Sequence, residues 1–295
     1  MPTPEAFTLV APDGHPLAAT RYVLEALAPK GVVVIAGATA VPQRFYRPFA
    51  ESLAARGYIA TTFDYRGIGG SAPKSLVGYE MDYLDWARLD LTAVIDAVAR
   101  PDVPLLMVGH SYGGHALGLL PSRCRVDGLY TFGTGAGWHG WMPALERIKV
   151  RTLWGFVAPV LTTWNGYLPF KRMGMGEDLP LGVYRQWRRW CRYPRYFFDD
   201  PITQPHLRGF EQVTTPIVAA NATDDAWAMP RSRDAFMKGY TRAPIETRDL
   251  VPADYGLGQI GHVGYFRVEA KPLWEHVYEW LDARVSEFTP SASTP

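Results

Sequence analysis

Three kinds of side chain in this sequence are spaced for nucleophilic chemistry: a serine flanked by glycines, a histidine far downstream, and two adjacent aspartates between them. Ser111 stands in Val108-Gly109-His110-Ser111-Tyr112-Gly113-Gly114, after an apolar run at residues 105–109 and before a plausible helix from about Tyr112. Small residues two before and two after a serine let the backbone turn tightly and push the hydroxyl clear of the turn. A helix starting there aims backbone N–H groups at developing negative charge. A serine hydroxyl is a weak nucleophile until a base takes its proton, and that base needs an acid to orient it.

In a serine elbow of this kind the chain order is Ser, then Asp or Glu, then His. His262, in Gly261-His262-Val263-Gly264-Tyr265-Phe266, follows the last expected strand and fits the base. His15, His110, His115 and His139 lie too early or inside the elbow. His206 precedes the candidate acids, and His276 falls within the final helix. Thr223-Asp224-Asp225-Ala226-Trp227 follows the expected strand at 217–221 and offers two acids. A turn after a buried strand favours Asp for backbone reasons, so one of the pair is read as a turn residue and the other as the acid. The oxyanion donors expected with such an elbow are the N–H of Tyr112 and one from the loop Gly37-Ala38-Thr39, for which Ala38 is the choice.

The elements that must position these groups alternate. Residues 6–10 and 17–22 read as a hairpin around Asp13-Gly14. Apolar runs at 31–37, 59–63, 105–109, 128–132 and 217–221 read as strands of a covered sheet, and 245–250 as a further strand where the alternation resumes. Helical patterns fall between them, near 45–54, 83–99, from 112 and from 230, with a last helix at 273–288. Such alternation predicts an α/β protein with a mostly parallel central sheet flanked by helices. It fails between 136 and 206, a stretch that holds Trp138, Trp141, Trp154, Trp164, Trp187 and Trp190 with many arginines. This stretch is read as a helical lid insertion, which leaves 1–135 and 207–295 as the core, with 289–295 a disordered Ser/Thr/Pro-rich tail. Trp138, Trp141 and Trp227 are the candidate substrate-binding residues. Tyr184, Trp187 and Cys191 share a helix face in the lid, with arginines mostly elsewhere. They read as a lid helix packing its aromatic side; the sharper readings are contact with an acidic substrate group or a membrane surface.

Composition narrows the partners. A net charge of +1 gives no bulk electrostatic case for nucleic acid or membrane. No stretch approaches the ~20 apolar residues of a membrane span, so no integral membrane association is expected. The first 22 residues lack the pattern of a signal peptide, and the expected location is cytoplasmic. Cys124 and Cys191 match no metal-ligand spacing and are read as reduced thiols. No metal or other cofactor is expected. Asp64-Tyr65-Arg66-Gly67-Ile68-Gly69-Gly70-Ser71 lacks both the G-x-G-x-x-G spacing and the lysine of a phosphate loop, and reads as a structural turn pinned by Asp64 and Arg66.

At this point the residues resemble a known family. Asp64–Ser71 resembles the D-x-R-G-x-G-x-S segment common in α/β hydrolases. The G-H-S-x-G-G elbow, the D-D-x-W-A acid loop and the G-H-x-G-x-F histidine loop resemble bacterial α/β hydrolases near the serine aminopeptidase and monoglyceride-lipase branch. The likeness spans residues 30–270 and implies the α/β-hydrolase fold. In that branch the acid usually stands about four residues before a proline, which favours Asp225, five before Pro230, over Asp224. The third-strand loop begins Ala36-Gly37 rather than the frequent His-Gly. Dehalogenases and epoxide hydrolases of this fold use an aspartate nucleophile, whereas position 111 is serine. The elbow and the His262 loop, with the aromatic-rich stretch at 136–206, predict hydrolysis of a carboxylic ester of a small or medium apolar substrate through an acyl-enzyme. An acyltransferase using the same triad, or a non-enzymatic ligand sensor, is the alternative. The fold itself says little about substrate, and nothing in the sequence bears on oligomeric state.

Overall fold

Alternation at a period of two sorts the central strands' side chains into two cores. In the strand at Val32–Ala36, Val33 and Ile35 join one buried cluster while Val34 and Ala36 join another. The same division separates Leu106 and Val108 from Leu105 and Met107. Only a sheet covered on both faces buries every residue of such strands, and the computed structural model, which describes residues 2–25 and 28–289, has that arrangement.

The eight strands are β1 (Thr3–Val10), β2 (Pro16–Val23), β3 (Val32–Ala36), β4 (Ile59–Phe63), β5 (Leu105–His110), β6 (Gly128–Phe132), β7 (Ile217–Ala222) and β8 (Ile245–Leu250). They form one sheet in the order β1-β2-β4-β3-β5-β6-β7-β8. β2 pairs antiparallel with both β1 and β4; all other pairings are parallel. Helices α1 (Arg47–Ala55) and α8 (Lys271–Glu287) cover one face through Phe49, Leu53, Trp274 and Val277. Helices α2 (Thr92–Val98) and α7 (Pro230–Met237) cover the other through Val94, Ile95 and Phe236. Between β6 and β7 lie α4 (Ala144–Thr152), α5 (Ala158–Asn165) and α6 (Leu181–Trp190), within the stretch read as an insertion.

The helix expected from Tyr112 is only one turn, α3 (Tyr112–His115), followed by a 3-10 turn at Leu117–Leu119. Gly118 packs directly on the Phe210 ring, where a Cβ would come within 2.4 Å, and Pro121, with no N–H to donate, cannot extend the turn as a helix. The helix expected at 83–99 is likewise a wide π-type turn, Trp86–Leu91, leading into α2. Asp64 and Arg66 do pin the turn after β4. Asp64 accepts N–H bonds from Gln43 and Gly70, and the buried Arg66 pairs with Asp13 and the fully buried Asp90. Cys124 and Cys191 are both free thiols. Residues 290–295 of the expected tail lie outside the described residues.

Candidate active site

The carboxyl ends of β5, β7 and β8 each deliver one group to the same point. Ser111 follows β5 with φ of 51° and ψ of −109°, a left-handed conformation costly for a residue with a side chain. The surrounding backbone forces it. A Cβ at Gly113 would lie 2.0 Å from the Ala36 carbonyl oxygen, and one at Gly109 would lie 2.6 Å from the Gly114 nitrogen. Ser111 N–H donates to the Phe132 carbonyl, and Thr134 Oγ1 donates to the Ser111 carbonyl. These two bonds hold the elbow against β6.

Ser111 Oγ lies 3.0 Å from His262 Nε2. On the far side of the ring, His262 Nδ1 donates to Asp225 Oδ2 at 2.9 Å and to Oδ1 at 3.1 Å. Asp225 is fully buried, and each oxygen has further donors. Oδ1 accepts from the N–H groups of Trp227 and Ala228, and Oδ2 accepts from the Tyr265 hydroxyl. Burial alone would raise the Asp225 pKa, but the His262 charge and these hydrogen bonds pull it below the ordinary value. For His262, burial works downward, and the Asp225 carboxylate overcomes it to lift the imidazole above its ordinary value. Asp224 does something different. Its two oxygens accept from the N–H groups of Ile260 and Gly261, tying down the loop that carries His262.

Two groups not singled out in the sequence join the nucleophile strand to both flanking loops. His110 donates from Nε2 to the His262 carbonyl at 2.7 Å and accepts at Nδ1 from the Tyr46 hydroxyl. Burial pushes its pKa down to about 3, so it stays neutral and keeps that donor pattern. Tyr46 in turn accepts the Ala38 N–H at 2.7 Å. Here the sequence expectation needs correction: the Ala38 N–H is engaged by Tyr46 and does not stand free as an oxyanion donor. Thr39 follows, lines the space around Ser111, and its N–H donates to no atom among the described residues. Tyr112 N–H, at the first position of α3, has no intrahelical partner.

Ser111 opens onto two compartments. The outer, of about 190 Å³, is lined by Ala38, Thr39, Val41, Phe170, Met175, Trp187, Trp227 and Val263. The inner, of about 30 Å³, lies among Tyr83, Tyr112, His115 and Tyr196. Trp227 lines both, its indole N–H donating to Glu146. Trp138 and Trp141 line neither. They pack edge to face with centroids 5.5 Å apart, and Trp141 donates to the Pro194 carbonyl. The backbone stays beside the inner compartment as far as Gly137, but the two indoles beyond it pack on each other and on the Pro194 carbonyl instead of lining the cleft. Trp187, from α6, takes the place expected of them. Its three- and four-residue spacing with Tyr184 and Cys191 marked a buried face, although not what that face covers. Among the described residues no cluster of His, Cys, Asp and Glu is placed to hold a metal ion, and no helix is long and apolar enough to cross a membrane.

Residues 32–266 match the alpha/beta hydrolase family. The chain belongs to that family. Among solved structures, this α/β hydrolase is similar to a soluble variant of monoglyceride lipase from Saccharomyces cerevisiae in complex with a substrate analog. The two share 15% identity over 96% of this chain and 94% of that one, with a TM-score of 0.66. It is also similar to haloalkane dehalogenase DbeA from Bradyrhizobium elkani, at 14% identity over 98% and 100% of the two chains and a TM-score of 0.62. A putative aryl esterase from Burkholderia cenocepacia is similar at 15% identity over 96% and 100%, with a TM-score of 0.58. These likenesses concern the fold. Comparison with curated protein sequences gives no match.

Proposed function

We propose that this α/β hydrolase is a serine hydrolase that cleaves a carboxylic ester through an acyl-enzyme. The observation that carries the reading is the unbroken chain from Ser111 Oγ through His262 to the buried Asp225. Ser111 attacks the ester carbonyl as His262 Nε2 takes its proton. The tetrahedral oxyanion is stabilised by the N–H groups of Tyr112 and Thr39, each worth ~3 kcal/mol in the transition state. His262 then returns the proton to the leaving alkoxide, and water repeats the sequence on the acyl-enzyme. Asp225 keeps the Nδ1 proton in place and stabilises the imidazolium. Esters are preferred over amides because an alkoxide demands less of the general acid.

The cleft supports a substrate of small or medium size. The outer compartment, walled by Val41, Phe170, Met175, Trp187 and Trp227, suits an apolar group, and the inner one admits only a small substituent. Helices α4 to α6 act in this reading as a lid that completes the cleft, since Trp187 comes from α6 and Glu146 of α4 holds Trp227. The test is turnover of a p-nitrophenyl ester series by wild type and Ser111→Ala. A loss on the order of 10⁴ in kcat is expected; equal rates would remove Ser111 as nucleophile.

A further inference from the structure

The insertion between β6 and β7 carries a second surface that ester cleavage does not use. A π-type turn at Leu153–Val157 joins α4 and α5 into one helical run over 144–165. The inner side of this run is spent on packing: Val150, Leu153, Trp154, Ala158 and Thr162 are buried. The outer side is also apolar. Leu145, Ile148, Phe156, Val160 and Trp164 are 67%, 63%, 71%, 36% and 82% exposed.

These five form a stripe. Steps of four residues drift by about 40° each around an α-helix, and the extra residue in a π-type turn winds that drift back. Phe156, Val160 and Trp164 therefore stay in line with Leu145 and Ile148 over about 28 Å of helix. Val77, 64% exposed, extends the strip past the end of α5, where a Cβ on Gly166 would touch it at 3.5 Å. Single exposed apolar residues are ordinary, but five aligned along one helical run, interrupted only near Thr152, are not.

The rim of the strip is basic. Lys149 and Arg151 are exposed on α4, and Lys74 and Arg172 are exposed at the Trp164 end, where Lys171 is paired with Glu177. The run's one acid, Glu146, is held by the Trp227 indole and Lys149. Docking of a second copy would bring these cations face to face. An apolar centre containing Phe and Trp, rimmed by Lys and Arg, matches instead the boundary between acyl chains and headgroups of an anionic bilayer.

We infer that the outer face of residues 144–165 docks peripherally on an anionic lipid surface. Trp154, on the inner side, packs against Trp187 at 4.9 Å between centroids, and Trp187 lines the Ser111 cleft. The lipid-facing strip and the cleft are thus separated by one layer of side chains.

The test is flotation of the full chain with vesicles, using Ser111→Ala so that no lipid is turned over. One set of vesicles is phosphatidylcholine alone, and the other is phosphatidylcholine doped with phosphatidylglycerol. Binding is expected on the doped vesicles and should weaken as salt is raised. Adding Phe156→Ser with Trp164→Ser should weaken it at least about tenfold, and Lys74→Glu with Arg151→Glu about tenfold. The same substitutions in the Ser111 background should leave melting temperature and hydrolysis of soluble p-nitrophenyl acetate at parental values. Absence of vesicle binding, or binding unchanged in both variants, would overturn the inference. Equal binding to both vesicle types would overturn the anionic assignment. A dimer abolished by Phe156→Ser with Trp164→Ser would give the face to a second copy and also overturn it. Because the assay needs no turnover, a failure of ester hydrolysis would bear on the proposed function alone.

Discussion

Replacing Asp225 with asparagine exchanges one carboxylate oxygen for an amide nitrogen and should disable the base without moving it. The Oδ1 position accepts two N–H groups, from Trp227 at 3.0 Å and Ala228 at 2.9 Å. Asparagine must keep its carbonyl oxygen there, because an amide NH₂ would face two donors. Its NH₂ then falls at the Oδ2 position, 2.9 Å from His262 Nδ1. An N–H facing Nδ1 forces that nitrogen to accept, so the imidazole proton moves to Nε2, against Ser111 Oγ. In this tautomer His262 cannot take the serine proton. The expected loss is about 10⁴ in kcat, the value for a buried triad aspartate made asparagine, or about 5.5 kcal/mol of transition-state stabilisation. Stability should fall by less, about 1–3 kcal/mol, because only the Tyr265 hydroxyl loses its acceptor. The assay is kcat/KM on p-nitrophenyl butyrate for Asp225→Asn and wild type, with melting temperatures alongside. A folded Asp225→Asn within about tenfold of wild type would refute the tautomer argument.

Asp224→Asn should cost far less, about tenfold in kcat/KM, since an amide oxygen still accepts one of the two loop N–H bonds; a loss matching that of Asp225→Asn would reassign the acid. The pH dependence follows from His262, which must be neutral to act as base. Its pKa is raised above the ordinary 6.5, so activity should fall with acid through a midpoint above 6.5, and a kcat/KM profile with a midpoint below that value would contradict the ion-pair geometry. Trp187→Ala and Trp227→Ala should each shift the preferred ester chain length upward by opening the outer compartment, whereas Trp138→Ala should leave it unchanged; kcat/KM across a homologous ester series reads both.

The parts of the site that were legible in the sequence are those where one residue type alone satisfies the geometry. Gly109 and Gly113 leave no room for a Cβ, so a strand, a glycine-flanked serine and a helix start announce themselves together. The parallel strands β3 to β7 were legible because burial on both faces demands apolar runs, as in β3 and β5, whereas β8, polar and largely exposed, was legible from its place in the strand–helix alternation. Other features depend on contacts distant in sequence. His110 meets the His262 carbonyl across 152 positions, and nothing in a histidine's neighbours says which carbonyl it will reach. Ala38 was chosen by loop position alone, and the competing acceptor, the Tyr46 hydroxyl, comes from the turn before α1. Between residues 136 and 206, aromatic spacing predicted buried faces, but the partner of each face is set by how α4, α5 and α6 cross.

The central claim is that Ser111 becomes acylated, and covalent trapping tests it most directly. Treatment of the full chain with a fluorophosphonate, followed by peptide mass spectrometry, should place one phosphonyl group on Ser111. Asp225→Asn should label far more slowly, and Ser111→Ala should not label while melting normally. Ester turnover persisting in an unlabelled Ser111→Ala protein, or a phosphonyl group found on another residue, would contradict the account.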